Sequence, residues 1–171
     1  MTTRLLPLAL LLLVAGPAQA GGAASYAGAW TFDESRGERE AAQAAVDDVA
    51  AQYTPIVRGL VKSRLREAVA ISTTLTLEPG ENTMTITSDF SSWTSDLAAT
   101  EVPVLNPEGE TVLLKRWLDE GVLKAVGSLG PSTSSFAFHL SEDGKSMTLH
   151  VRTQNPRLKK DLAYKLTYVR E

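Results

Sequence analysis

Two histidines are the residues whose side chains first suggest catalysis or metal binding. His139 and His150 are the only histidines of the 171-residue chain, and each lies in an alternating apolar pattern typical of a β-strand. Two neighbouring imidazoles and a carboxylate would bind zinc or transfer protons. Both rings fall opposite the apolar residues of their strands, so the simpler interpretation is two solvent-facing polar residues. We predict no catalytic residue, no metal site, no cofactor and no enzymatic reaction.

Arg64 is the charged residue whose position most suggests ligand binding. On a helical wheel it falls between Val57, Leu60 and Ala68, in the middle of an apolar face. A guanidinium there would bind an anionic head group through paired hydrogen bonds. The commoner use of such an arginine is to lay its stem on apolar surface while its charge reaches water or an acidic side chain.

The composition is that of one ordinary soluble domain. Against 17 Lys+Arg the chain has 20 Asp+Glu, a formal net charge of −3, so no basic surface for nucleic acid is expected. The chain has no Cys, which excludes disulfides, thiolate metal sites and cysteine nucleophiles.

The first 20 residues have the pattern of a secretory signal peptide. Arg4 precedes an apolar run over 5–14, and the segment ends in Ala18-Gln19-Ala20, with small residues at the −3 and −1 positions. The run is too short to cross a hydrocarbon core, which takes about 20 apolar residues. We expect cleavage after Ala20, a flexible leader over 21–25, a single domain over 26–171 and a periplasmic or secreted protein.

Two helices are expected after a first strand over 28–32. Ser35 and Glu38 have the spacing of a capping box at the start of the first helix. Thr54 and Pro55 suit the N-cap and first position of the second helix, which is expected to run to about Ala70. Its predicted apolar face consists of Ile56, Val57, Leu60, Val61, Leu65 and Ala68.

From residue 71 onward the apolar period changes to two, and turn residues separate the runs. The later strands are predicted over 71–77, 83–88, 90–93, 102–105, 110–117, 122–127, 134–140, 147–152 and 162–170. We therefore predict a mainly β protein, an antiparallel up-and-down barrel of about ten strands with a helical pair inserted after the first strand. The alternative is an α+β domain whose helices pack on an open curved antiparallel sheet.

The order of elements, with Gly28-Ala29-Trp30 near the start and Tyr168-Val169-Arg170 at the end, resembles the lipocalin and fatty-acid-binding-protein (calycin) superfamily. It is particularly similar to small exported bacterial lipocalin-like proteins. The resemblance implies that Trp30 and Arg170 stack at the barrel floor. It also implies that the barrel holds or carries a small apolar or amphipathic ligand. Fatty-acid-binding relatives grip a carboxylate with a late Arg-x-Tyr pair, but Leu166 stands here in place of that arginine.

The inward positions of the late strands are the remaining candidates for ligand contacts. The alternation places Phe136, Phe138, Tyr164 and Tyr168 on one face, and with Arg64 they are the predicted ligand-binding residues. Simple packing of the barrel core would use the same four side chains. The rival function is therefore a non-enzymatic cell-envelope module with a filled barrel, which binds another protein through Trp117 or the helical pair.

A basic stripe marks the solvent side of the second helix. Arg58, Lys62 and Arg66 recur every four residues, beside Asp47 and Asp48 of the first helix. The resemblance to lipid-transfer members implies transient contact with an anionic membrane through this stripe. The simpler interpretation is a solvated face partly paired with the two aspartates.

Overall fold

The computed structural model describes residues 22–171, so the predicted signal peptide over 1–20 lies outside the described residues. The elements are a 3-10 helix (Ala23–Tyr26), β1 (Gly28–Phe32), a second 3-10 helix (Glu34–Arg36), α1 (Glu38–Ala51), α2 (Pro55–Ala68), β2 (Thr74–Pro79), β3 (Thr83–Ser88), β4 (Ser92–Asp96), β5 (Val102–Leu105), β6 (Thr111–Asp119), β7 (Val122–Leu129), β8 (Ser132–Leu140), β9 (Ser146–Gln154) and β10 (Leu162–Arg170). Within residues 22–171, no helix is long and apolar enough to cross a membrane.

The ten strands form one antiparallel sheet in the order β4-β3-β2-β1-β10-β9-β8-β7-β6-β5. Strands that follow each other in the chain are paired, except β4 and β5, which are the two edges of the sheet. The first strand, β1, pairs with both β2 and the last strand, β10. The sheet curls into a nearly closed barrel, with the helical pair inserted after the first strand. The predicted ten-stranded barrel is confirmed, and the open-sheet alternative is not observed.

Between β4 and β5, the two edge strands, a seam takes the place of a backbone ladder. The indole Nε1 of Trp93 in β4 donates to the carbonyl of Leu105 in β5 at 2.9 Å. Nearer the other end of the seam, the backbone N–H of Ala99 donates to the carbonyl of Arg116 at 3.0 Å. The barrel is therefore sealed here by isolated contacts that leave most edge groups of the two strands unpaired with each other.

The floor of the barrel is closed by the segment before β1. The Arg170 guanidinium lies 4.4 Å from the centroid of the Trp30 ring, the stacked pair that the resemblance implies. The same guanidinium donates to the carbonyls of Ser25 (2.6 Å) and Ala27 (3.1 Å). The expected flexible leader over 21–25 thus differs from the structure, because Ala23–Tyr26 is a 3-10 helix held against the barrel by Arg170.

Tyr26 connects the floor of the barrel to the wall formed by β7 and β8. Its side chain is fully buried, and its hydroxyl lies 2.8 Å from the carbonyl of Gly121 and 2.6 Å from that of Phe138. The hydroxyl also accepts the backbone N–H of Leu123 at 3.0 Å. One phenol therefore connects the 3-10 helix with the β6–β7 turn, β7 and β8.

Helix α1 covers the edge that β10 exposes where β1 ends. Beyond Phe32 the backbone of β10 has no partner strand, and the buried Glu38 accepts both the N–H of Thr167 (2.5 Å) and its hydroxyl (3.1 Å). The predicted capping box of Ser35 and Glu38 is therefore wrong. Gly37 occupies the N-cap with a φ of 65°, and the Glu38 carboxylate satisfies the sheet edge instead of the helix start.

Helix α2 begins at Thr54 and Pro55 as predicted but ends at Ala68. The predicted apolar face is wrong for its first two turns. Only its later residues reach the core: Leu65 is 7% exposed, whereas Ile56 is 93% exposed and Leu60 is 64% exposed. Along the rest of the helix, Lys62 and Arg66 bind Asp47 of α1 at 2.7 and 3.7 Å.

Candidate ligand site inside the barrel

The predicted ligand-binding aromatic residues all point into the barrel, but at different depths. Phe138 and Tyr168 are nearly inaccessible, and Tyr168 donates its hydroxyl to the carbonyl of Ser72 at 3.1 Å. Phe136 and Tyr164 lie nearer the mouth and are half-buried. Burial raises the pKa of Tyr164 to about 12 and raises that of Tyr168 further above its usual value, so both hydroxyls stay neutral. Ligand contact by these residues stays a prediction.

One row of inward side chains crosses five neighbouring strands. The backbone register pairs Ala125 of β7 with Phe136 of β8, Phe136 with Val151 of β9, and Val151 with Tyr164 of β10. At the β6 end of this row, opposite Ala125, stands Arg116. An arginine therefore takes a position that is otherwise apolar or aromatic along the barrel wall.

The Arg116 side chain is buried without a counter-ion. It is 2% exposed, and no ion pair among the described residues includes it. Its Nη1 donates to the carbonyl of Met84 in β3 at 2.5 Å, across the seam, while its Nε is buried with no hydrogen-bond partner. Burial lowers the pKa of this guanidinium to about 10, which still leaves it charged at neutral pH.

A second unpartnered polar group belongs to the same part of the wall. Ser95 of β4 pairs in register with Met84, the residue that Arg116 reaches, and its hydroxyl is buried without a partner. Buried polar groups normally find hydrogen bonds, and an uncompensated buried charge costs several kcal/mol. This part of the barrel wall therefore contains two buried polar groups, the Arg116 Nε and the Ser95 hydroxyl, that have no hydrogen-bond partner in the structure.

Comparison with solved structures identifies the fold. A SAHS protein from Ramazzottius varieornatus superimposes with a TM-score of 0.59 at 11% identity, over 86% of this chain and 96% of that chain. The fluorescent protein UnaG gives 0.56 at 13% identity, over 88% and 100% of the two chains. A Schistosoma mansoni fatty-acid-binding protein in complex with arachidonic acid gives 0.51 at 16% identity, over 88% and 99%. This chain has the fold of the fatty-acid-binding proteins. No family model matches the sequence, and no curated protein matches it either.

Arg116 stands apart from the arginine that the resemblance associates with the fatty-acid-binding-protein fold. That arginine belongs to the last strand, two residues before a tyrosine, where this chain has the buried Leu166 before Tyr168. Arg116 lies on β6, beside the seam. The barrel wall thus contains one buried cation, but on another strand.

Sequence reasoning missed Arg116 because Lys115 precedes it, and two adjacent basic residues are typical of a solvated strand surface. The signal that would have found it is the period of two. Leu114, Arg116 and Leu118 share one face of β6, and Leu114 and Leu123, the β7 partner of Leu118, are buried.

Arg64 lies outside the barrel. Its side chain is 76% exposed and pairs with Glu67 of the same helix at 3.4 Å. This placement matches the alternative in which the charge reaches water or an acidic side chain. Nothing in its surroundings directs the guanidinium toward the interior row.

The two histidines are neighbours on the outer face of the barrel. The rings of His139 and His150 are 5.1 Å apart between centroids, and both residues are exposed. Partial burial lowers the pKa of His139, and the positive charges of His150 and Lys124 lower it further. Residues 22–171 contain no group of three or more His, Asp or Glu side chains suited to hold a metal ion.

If Arg116 is retained for a ligand, removing its charge will not destabilise the empty protein. We expect Arg116→Met to have a free energy of unfolding no lower than the original protein and up to about 4 kcal/mol higher, because an apolar side chain replaces an uncompensated buried charge. Urea denaturation measures this difference. Lys115→Met, on the outer face of the same strand, is the control and should change stability by less than about 0.5 kcal/mol. A loss of several kcal/mol in Arg116→Met would show that the arginine is needed to hold the seam.

Proposed function

We propose that the protein binds and carries a small amphipathic molecule with an anionic head group inside its barrel. The observation that carries this proposal is the charged Arg116 guanidinium, buried in the inner wall with an unpartnered Nε and no carboxylate. A ligand carboxylate or phosphate would provide both the counter-charge and the acceptor. The fold supports the proposal, since solved structures that share it include a fatty-acid-binding protein in complex with arachidonic acid.

The apolar body of such a ligand would follow the row that starts at Arg116. Ala125 and Val151 in this row are buried, while Phe136 and Tyr164 are half-buried and so are the accessible members of the row. These side chains offer apolar surface and, at Tyr164, a neutral hydroxyl. A head group at Arg116 and a chain along the row would satisfy both parts of an amphipathic molecule.

The rival proposal is a filled barrel that acts as a cell-envelope interaction module. It is favoured by the solid packing near the floor, where Trp30, Leu77 and Met147 are fully buried. It is also favoured by the apolar residues that α2 leaves exposed. The two proposals differ in whether a soluble amphiphile binds at all, which a direct titration decides.

We also propose that the mouth of the barrel contacts anionic membranes. Ile56 and Leu60 of α2 are exposed there, and so are Phe90 (51%) and Leu105 (64%) at the turns that follow β3 and β5. Arg58 lies on the same helix, with Nη2 donating to the carbonyl of Tyr53 at 3.2 Å. Exposed apolar side chains flanked by basic ones are the combination that binds the interface of an anionic bilayer.

The proposal also includes export of the protein from the cytoplasm. We propose that residues 1–20 are removed and that the protein works in the periplasm or outside the cell. The mass of the protein recovered from its own host tests this directly, because cleavage after Ala20 leaves 171 − 20 = 151 residues. Recovery of the full-length chain from the cytoplasm would contradict it.

Head-group recognition predicts a difference between two probes of equal length. We expect dodecanoate to bind about 10- to 100-fold more tightly than 1-dodecanol, since hydrogen bonds to a charged group contribute about 1.5–3 kcal/mol. Isothermal titration calorimetry below the micellar concentration measures both. In Arg116→Met the preference should vanish, whereas Arg64→Met, the matched exposed arginine, should keep it.

The outcomes separate the two parts of the proposal. If neither probe binds, the barrel is not a carrier and the filled-barrel rival stands. If both probes bind equally well to the original protein and to both variants, the barrel binds apolar chains but Arg116 does not recognise a head group.

Membrane contact predicts that apolar residues at the mouth matter more than those at the floor. In co-sedimentation with vesicles of phosphatidylglycerol and phosphatidylcholine, the double variant Ile56→Ser/Leu60→Ser should lower the bound fraction several-fold, because it removes the apolar side chains available for insertion. Arg58→Gln should reduce binding mainly at low salt. Val169→Ser, an exposed apolar position near the floor, is the control. Equal losses in the mouth and floor variants would reject docking through the mouth.

A further inference from the structure

A groove of about 520 Å³ crosses the outer face of the barrel over β6–β10. Three consecutive residues from each of the strands β7 to β10 line the groove, such as Ser135, Phe136 and Ala137 on β8. In each triplet the outer two residues point away from the barrel and the middle one belongs to the inward row. The groove is therefore formed by outward side chains over the strand backbones, and the barrel wall separates it from the interior site.

Small side chains create this groove. One outward row runs in register across the five strands and consists of Trp117, Lys124, Ala137, His150 and Lys165. At about 4.8 Å per strand the row is about 19 Å long. Ala137 at its centre leaves space between Lys124 and His150, both of which have longer side chains. In the adjacent row Ala163 is also small, so the bottom of the groove is apolar and shallow.

All the fully charged side chains that line the groove are basic. They are Lys124, Arg152 and Lys165, and no Asp or Glu is among the lining residues. This is unusual for a chain whose formal net charge is −3. A positive groove on an acidic protein raises the local concentration of small anions.

Each of these cations has a carboxylate outside the groove. Lys124 binds Asp119 at 2.5 Å, and Arg152 binds Asp161 at 2.6 Å. Lys165 lies 3.7 Å from Glu38. The pairs of Lys124 and Arg152 lie at the surface, where such pairs contribute about 0–1 kcal/mol, so these two cations are free to turn toward a ligand at little cost. Glu38 is buried, but its carboxylate keeps two hydrogen bonds from Thr167 when Lys165 turns toward the groove.

We propose that this groove is a second binding site, for a small organic anion with a flat apolar body. Its volume falls in the range of small-molecule sites, about 300–1,000 Å³. The apolar bottom around Ala137 suits a flat body, and the half-buried indole of Trp117 closes one end. Lys124 and Lys165 lie on either side of Ala137 in the same row and bind the anionic group. The site is independent of the interior ligand and of Arg116.

Naphthalene-2-sulfonate is a suitable probe, with 2-naphthylmethanol as its neutral counterpart. In NMR titrations of the intact protein, the sulfonate should shift the Ala137 and Ala163 methyl signals and the His150 ring signals together. The neutral compound should bind at least 10-fold more weakly, because it cannot pair with the lysines. Excess dodecanoate should leave these shifts in place, since it occupies another site or none.

Two variants and one control test the location. Ala137→Leu fills the groove and should weaken sulfonate binding at least 10-fold, while Ala29→Leu, the same change on the outer face of β1, should not weaken it. Lys124→Gln/Lys165→Gln tests the charges without adding volume, and it should remove the preference for the sulfonate. The proposal is overturned if Ala137→Leu binds as the original does, if the neutral compound binds equally well, or if dodecanoate displaces the sulfonate.

Discussion

Closure of the sheet at the seam between β4 and β5 is the constraint on which the rest of the structure depends. An interior exists only if these two edges meet, and the backbone provides no ladder between them. Arg116 contributes twice at this place. Its carbonyl accepts the N–H of Ala99, and its guanidinium reaches the carbonyl of Met84 on the opposite side. The backbone of Arg116 therefore helps to join the edges, while its side chain places an uncompensated charge inside the barrel.

The two ends of the barrel are held by interactions of different strength. At the floor, the fully buried Tyr26 and Trp30 connect the 3-10 helix to the wall, and the Arg170 guanidinium is held by stacking and two hydrogen bonds. At the mouth, Leu65 is the one buried residue of α2, and the ion pairs of Lys62 and Arg66 with Asp47 of α1 contribute little to stability. Opening at the mouth therefore costs less free energy than opening at the floor. If the interior binds a ligand as proposed, the helical end is its expected route.

The parts of the fold that depend on local patterns were predictable from the sequence. The strands over 83–88, 102–105 and 162–170 agree with the structure to the residue, because turn residues bound each of them and their apolar period is two. Thr54 and Pro55 likewise mark the start of α2. These signals require no knowledge of which element packs on which.

The parts that depend on tertiary contacts were not predictable in the same way. Glu38 has the spacing of a capping residue, but a free strand edge at Thr167 uses its carboxylate. The apolar residues of α2 have helical spacing in the sequence, yet Ile56, Val57 and Leu60 in the first half of the helix are exposed in the structure. The alternation of side chains along β6 is enough to predict that Arg116 points inward. Its lack of a counter-ion can be seen only when the surrounding strands are in place.

Under the proposed function, the position of the Arg116 charge determines where the head group of a ligand would lie. Inward positions of neighbouring strands form continuous rows, so a cation can bind a head group from any strand while the same apolar wall receives the chain. The resemblance places the ligand-binding arginine on β10, at the position of Leu166, whereas the buried arginine of this chain is Arg116 on β6. The head group of a ligand is therefore expected closer to the seam. The shape of the barrel is therefore compatible with many ligands. Among the described residues, Arg116 has the one buried guanidinium, and this charge favours an anionic ligand. Because Arg116 stands at the β6 end of the inward row, the charge of the ligand would lie at that end.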